Sequence, residues 1–533
     1  MSKKVWALLA VGLLWAGGVD AAGDKPSKKP KVNYTQTAET PALFMEHCSA
    51  CHGMDRLGGL GPALLPSNLK RLRQKSAHKV IKSGREATQM QGFGEILNDK
   101  QIEGLVSFIY KPLAEMPTWN MDQIKESRII HTEMSELPDK PQHKSDPLNL
   151  FTVVEAGDHH VTILDGDKFE PIWRFQSRFA LHGGAKYSPD GRFMYLGSRD
   201  GWISKYDMHS LQIVSEIRAG INMRNIAVSG DGRYIMAANY LPHSLVLLDA
   251  KDMKPLKWFD AVSKDGKSSR VSAVYTAPPR ESFIVALKDI PEIWEIQYSD
   301  DPRPEARGFI HNWTPGLEEG DIDFGPFPLG RIRLKDFLDD FFFDQSYEHV
   351  VGASRDGKSG QVVDLDIRRK VADIDLAGMP HLGSGITFKY KDNPVLATPH
   401  LKGGTVSVID MKSWKTVKQI ETKGPGFFMR SHDNTPYAWV DVFFGPDKDA
   451  LHVIDKRTLE IVKTIRPEPG KTGAHVEFDR YGKYALVSVW DMDGALVVYD
   501  AATFEEIKRI PMKKPVGKYN VYNKITYEAG TSH

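Results

Sequence analysis

The chain has only two cysteines in 533 residues, no surplus of either charge and no long apolar run. Each shortage removes a class of function. With 70 Lys and Arg against 69 Asp and Glu, the formal charge of +1 offers no basic excess to meet nucleic-acid phosphates. No apolar stretch reaches the roughly 18 residues of a membrane-spanning helix. Cys48 and Cys51 stand without the second pair that a zinc site would need, and without the βαβ pattern of a thioredoxin-like redox motif. What is plentiful argues for a packed chain with many turns: 41% hydrophobic and 26% charged residues, punctuated by 45 Gly and 32 Pro. Disorder is excluded for most of the chain, and its length allows two to four domains.

Lys3 and Lys4 lead an apolar run from Val5 to Ala16, followed by the small residues Ala21, Ala22 and Gly23. This order is that of a cleaved secretory signal over residues 1–22, which places the protein, in a bacterium, in the periplasm. Residues 23–39 are polar, with Lys-Pro pairs and no hydrophobic period, and read as a flexible linker.

Cys48-Ser49-Ala50-Cys51-His52 is C-x-x-C-H, the sequence of covalent c-type haem attachment. Two thiols three apart can form thioethers to one haem, and the adjacent His52 imidazole is placed as a ligand to its iron. Apolar residues at Ile102, Leu105, Val106 and Ile109 predict a helix over 99–110. Together these outline a small α-helical class I cytochrome c domain over 40–115. Met90 stands where such domains place the sixth iron ligand; Met116 or a histidine is the alternative.

Residues 116–148, rich in Pro, Lys and Asp, read as a second linker. From about Asn149 the pattern changes to short β segments between recurring turns, among them Ser188-Pro189-Asp190-Gly191, Ser229-Gly230-Asp231-Gly232 and Asp479-Arg480-Tyr481-Gly482. After each turn comes a second strand, then a third ending in Asp, then a fourth. Four strands per 40 to 50 residues is propeller spacing, so 149–533 reads as a mainly β domain with eight blades, seven being the alternative. The segment near Phe151 would close the ring with the C-terminal strands. Asp300 to Arg333 has no counterpart in the repeat and reads as an excursion between blades.

A haem c domain before an eight-unit propeller resembles the cytochrome cd1 family, whose propeller holds haem d1. The residues that carry the likeness are Leu181-His182-Gly183-Gly184, Ser198-Arg199-Asp200-Gly201, Arg224, Met379-Pro380-His381-Leu382-Gly383 and Gly517-Lys518-Tyr519-Asn520. One member class reduces nitrite, using two histidines as proton donors. His381 matches the second, but Asp339 stands at the first, and an ionised carboxylate would repel nitrite. Glu155 to His160, Gly424-Pro425-Gly426-Phe427-Phe428 and the C-terminal segment from Pro515 are instead similar to the family's dehydrogenases of dihydro-haem d1.

That resemblance implies oxidation of one propionate of dihydro-haem d1 to acrylate, the last step of making haem d1. Dihydro-haem d1 is then substrate, haem d1 product, and covalent haem c the electron acceptor. It further implies His182 as ligand to the substrate iron and His381, His475 and Tyr519 as the catalytic set, with the choice of base left open. Arg199, Arg224 and Arg270 are candidates for the substrate carboxylates, because guanidinium pairs with them through two parallel hydrogen bonds. The implied partners are an external electron acceptor and, transiently, other haem d1 biosynthesis proteins and the nitrite reductase. A carrier of haem d1 without chemistry is the competing reading, and a nitrite reductase a second.

Overall fold

The computed structural model describes residues 34–59, 61–70, 72–85, 90–115, 117–306, 322–323, 325–354, 359–376 and 380–526. The signal-like segment 1–22, most of the Lys-Pro stretch, Met116, Met379 and the side chain of Asp339 lie outside them.

The N-terminal unit is helical: α1 (Thr40–His47), α2 (Ser49–His52), α3 (Gln74–Ser83) and α4 (Asp99–Tyr110). Asn98 and Gln101 start α4 with a reciprocal cap, each side chain taking the other's backbone N–H at 3.0 Å. Ile102, Leu105, Val106 and Ile109 are buried on one face of α4, as their spacing predicts, against Phe44, Ala77, Ile81 and Phe93. Cys48 and Met90, both half-buried, border the same core.

The segment read as a second linker carries structure of its own. Asn120 caps a short helix, α5 (Met121–Glu126), and Ile129–Ile130 pairs with Ser215 and Glu216 as a fifth strand on the first blade.

Eight four-stranded antiparallel sheets follow the propeller expectation. Blades 1 to 7 begin with strands 181–187, 222–228, 271–277, 338–343, 386–390, 429–431 and 473–478. Blade 8 is shared by the two ends of the chain: 515–520 lies innermost and pairs with 150–155, Phe151 opposite Asn520 and Val153 opposite Lys518. Each recurring turn sits between the first and second strand of a blade.

The aspartates that end the third strands have a local purpose. Asp165, Asp249, Asp364, Asp410 and Asp500 each accept backbone N–H groups two and three residues ahead. The residue four positions on then takes a left-handed conformation, with Phe169 at φ 55°, Met253 at 62° and Phe504 at 64°. Such a φ disfavours a side chain by about 1–2 kcal/mol. Here the turn's hydrogen bonds and the burial of Phe169 and Met253 offset that cost.

One expectation is corrected. Leu329–Arg333 pairs with Glu292–Ile296 as the outermost strand of blade 3, so the excursion lies inside a blade, between its third and fourth strands. The third strand there ends in Gln297 rather than Asp, and the chain departs from the repeat after it.

Candidate active site

The first strands of successive blades adjoin one another around the axis and line the central opening. His182, Arg224, Tyr275, Asp340, Arg430, His475 and Tyr519 stand on seven of the eight, and His381 just precedes the eighth. The ring thereby gathers residues from the whole length of the propeller.

His182 Nδ1 donates to the Arg224 carbonyl at 2.7 Å, which leaves Nε2 as the nitrogen with the lone pair. Arg199 Nη2 lies 2.8 Å and Arg224 Nη1 3.0 Å from that Nε2. Both guanidinium groups therefore lie within hydrogen-bond distance of that lone pair. Arg224 is anchored by its Nε to the Ser272 carbonyl at 2.9 Å. Arg270 is placed differently, making a paired contact to Asp289 at 2.8 and 2.7 Å. It shares the ring of Tyr240 with Arg199, at 5.6 and 5.8 Å.

On the later blades, His381 Nδ1 donates to the Phe427 carbonyl at 2.9 Å, and its ring lies against that of Phe427, centroids 4.1 Å apart and planes tilted by 38°. Burial holds its pKa below the usual imidazole value. His475 is buried, with its ring edge-on to Tyr519 at 5.4 Å. Burial first, then the charges of Lys518, Arg430 and Lys524, keep its pKa well below normal. Both imidazoles are neutral at pH 7 and can accept protons. Burial also pushes the Tyr519 phenol up to about 12, so it remains a hydrogen-bond donor.

Several residues of this region escape a reading of the sequence. Lys186, Arg430, Lys518 and Lys524 form a buried basic group near Tyr519, faced by Glu477, with Arg430 and Glu477 3.7 Å apart; burial holds the Lys518 and Lys524 amines well below the usual lysine range. Burial pushes Lys186 down to about 8. Tyr275 donates to Asp340 at 2.9 Å, and Asp340 in turn faces Lys186 and His381. The signal available was position in the repeat, since charges on a first strand interrupt residues that are otherwise apolar.

Tyr519 also explains Gly184. Its φ is 76°, and a Cβ there would lie 3.0 Å from the tyrosine ring. Gly184→Ala is expected to cost about 1–2 kcal/mol in chemical denaturation, from the left-handed backbone alone, and to displace the ring.

The C-x-x-C-H segment fits a covalent haem. Both thiols are free and half-buried. His52 Nδ1 donates to the Pro62 carbonyl at 2.8 Å, which orients the ring and reserves Nε2 for iron. A Cβ at Gly61 would sit 2.7 Å from the imidazole, so only glycine lets the chain pass this close. This unit docks on blades 1 and 2: Ala63 and Leu65 pack with Ile221 and Leu241, and Asn68 Nδ2 donates to the Ile221 carbonyl at 3.2 Å. The Arg218 guanidinium bridges the two units, donating to the Leu57 carbonyl and, at 3.0 Å, to that of Asp200, next to Arg199.

Comparison with known proteins identifies the family of each unit. Residues 145–313 and 322–524 match the cytochrome D1 heme domain, and residues 35–109 match the cytochrome c oxidase cbb3-type subunit III family. The chain is 51% identical to a dihydro-heme d1 dehydrogenase of Pseudomonas aeruginosa, over 98% of this chain and 99% of that one. A nitrite reductase of Stutzerimonas stutzeri is 24% identical, over 98% of each chain. Among solved structures, the dihydro-heme d1 dehydrogenase NirN in complex with DHE superposes with a TM-score of 0.85 at 52% identity, covering 92% of this chain and all of that one. A match of this extent shows that the chain belongs to the dihydro-heme d1 dehydrogenase family, within the proteins that carry a cytochrome d1 heme domain.

Proposed function

We propose that the protein oxidises dihydro-haem d1, taking two hydrogens from one propionate to give the acrylate of haem d1. The observation that carries this reading is that His475 is buried edge-on to Tyr519 and that His381 and His182 belong to the same central ring, with burial holding both the His381 and the His475 pKa below the usual imidazole value. Converting –CH2–CH2–COO⁻ to –CH=CH–COO⁻ releases two protons and two electrons. Two neutral imidazoles match a reaction that gives up protons; nitrite reduction consumes them and would need imidazolium donors.

His182 would hold the substrate iron through Nε2, and Arg199 and Arg224 would turn from that nitrogen to the substrate carboxylates. Arg270, tied to Asp289, would act mainly by fixing Tyr240 and with it Arg199. His381 and His475 would take the protons, and the Tyr519 hydroxyl would orient the propionate being oxidised. Cys48, Cys51, His52 and Met90 would hold haem c, which when bound supplies a one-electron acceptor. An external acceptor would then regenerate the protein. The order of residues from Lys3 to Gly23 supports a periplasmic location, where haem d1 biosynthesis proteins and the nitrite reductase would be transient partners.

The test is anaerobic incubation of the oxidised protein with dihydro-haem d1, following haem c absorbance and the mass of the extracted tetrapyrrole. Loss of two hydrogens with haem c reduction is the expected result. Tight binding at unchanged mass would leave a carrier.

A further inference from the structure

Asp441 ends the second strand of blade 6, Tyr437–Asp441, and is fully buried. Its carboxylate meets the chain at three points. One oxygen accepts the backbone N–H groups of Phe427 at 2.7 Å and Phe428 at 3.0 Å. The other accepts the N–H of His475, on the next blade, at 3.2 Å. Phe427 is the residue whose carbonyl accepts the hydrogen bond from His381 Nδ1–H and whose ring lies tilted against that imidazole. Phe428 packs on His475, ring to ring at 4.7 Å.

His475 needs such support. It sits at φ 52°, in a bulge between Ala474 and Val476 where the pairing with the neighbouring strand skips it. A histidine in the left-handed region is held only where its surroundings over-determine it. Asp441 takes its N–H, while buried Lys518 donates to its carbonyl and, at 2.9 Å, to Ser488 Oγ. Burial lifts the Asp441 carboxyl to about 6, so it remains ionised at pH 7.

We infer that Asp441 is a positioning residue that sets both imidazoles at once, His475 through its backbone N–H and His381 through Phe427. This rests on His381 and His475 being the proton acceptors. One carboxylate then fixes the spacing between two groups carried on different blades. A geometry error near 1 Å at such groups can cost about a hundredfold in rate.

The experiment is a cycle of four proteins: the natural chain, Asp441→Asn, the His381→Ala/His475→Ala pair, and all three together. Each is assayed for single-turnover haem c reduction by dihydro-haem d1 and for affinity toward it. Asn keeps the shape and one acceptor oxygen but presents N–H to the N–H of His475. Asp441→Asn is expected to slow the step roughly 30-fold with affinity changed less than about twofold. In the background without the imidazoles it should add less than about twofold, because the residue it acts through is gone. An unchanged rate in Asp441→Asn, or the same slowing with and without the imidazoles, would overturn the proposal. The separate result that the histidine pair reacts at the natural rate would overturn the catalytic reading itself. Should Asp441→Asn not fold, amide exchange in the natural protein decides: slow exchange at Phe427, Phe428 and His475 supports the three contacts, and fast exchange at these amides rejects them.

Discussion

His475→Ala is expected to slow anaerobic haem c reduction by dihydro-haem d1 about 10³-fold, within the range for losing a positioned proton acceptor, while substrate affinity changes little. His475 packs between Phe428 and Tyr519, and the Lys518 amine that meets its Nδ1 at 3.5 Å keeps its bonds to the His475 carbonyl and Ser488 Oγ in the variant, so folding should survive. The pH profile gives an independent check. Lys518, Arg430 and Lys524 face this imidazole from blades 6 to 8 and the C-terminal helix, and Asp441 meets its backbone. Burial and these cations disfavour the imidazolium, so the folded pKa lies below the ordinary 6.5. Protonation of the imidazole therefore begins only at lower pH, and the rate should change by no more than about twofold between pH 7.5 and 6, the half-protonation of Asp441 near 6 being the main contribution. His381 is shifted in the same direction by burial, with Asp340 acting in the opposite sense and Arg224 reinforcing it. A tenfold fall across that interval, or a His475→Ala protein within about threefold of the natural rate, would show that the proton goes elsewhere.

The blades are legible in the sequence because their signals are local. An Asp that takes the next N–H groups, and a turn between the first two strands, are written in adjacent residues and recur. The fourth strands are harder to see. Glu170–Gln176 is mostly solvent-facing and shows no apolar alternation, and Leu329–Arg333 follows a segment that breaks the repeat, so its place in blade 3 was lost. The site divides in the same way. His182 and Arg199 lie close together in the chain and meet in space. Lys186, Arg430 and Lys524 come from blade 1, blade 6 and the C-terminal helix, and acquire a shared role only when the ring closes. Asp441 shows the limit most plainly: its partners are backbone N–H groups, which every residue but proline has, and only the fold determines which three it meets.

Replacing both cysteines of the C-x-x-C-H segment, Cys48→Ser with Cys51→Ser, should separate binding from electron removal. The proposed substrate residues stand on the propeller, whose blades share only the Ala63, Leu65, Ile221 and Leu241 cluster with the helical unit and otherwise have their own cores, so affinity for dihydro-haem d1 should remain within about threefold. The helical unit is small, and below roughly 80 residues a single core gives limited stability. Without haem bonded to Cys48 and Cys51, it should lose much of its helical circular dichroism while the propeller's β signal persists. Oxidation of the substrate should then fall by more than about 10³-fold under anaerobic conditions, because two electrons have no resident acceptor. A soluble one-electron oxidant should recover part of that loss, since His381, His475 and Tyr519 remain in place. Mass measurement of the extracted tetrapyrrole reads both outcomes. Unimpaired loss of two hydrogens in a haem-free protein without added oxidant would mean that the electrons leave by another route. Arg218, which joins Leu57 to the Arg199 turn, would then serve only to hold the two units together.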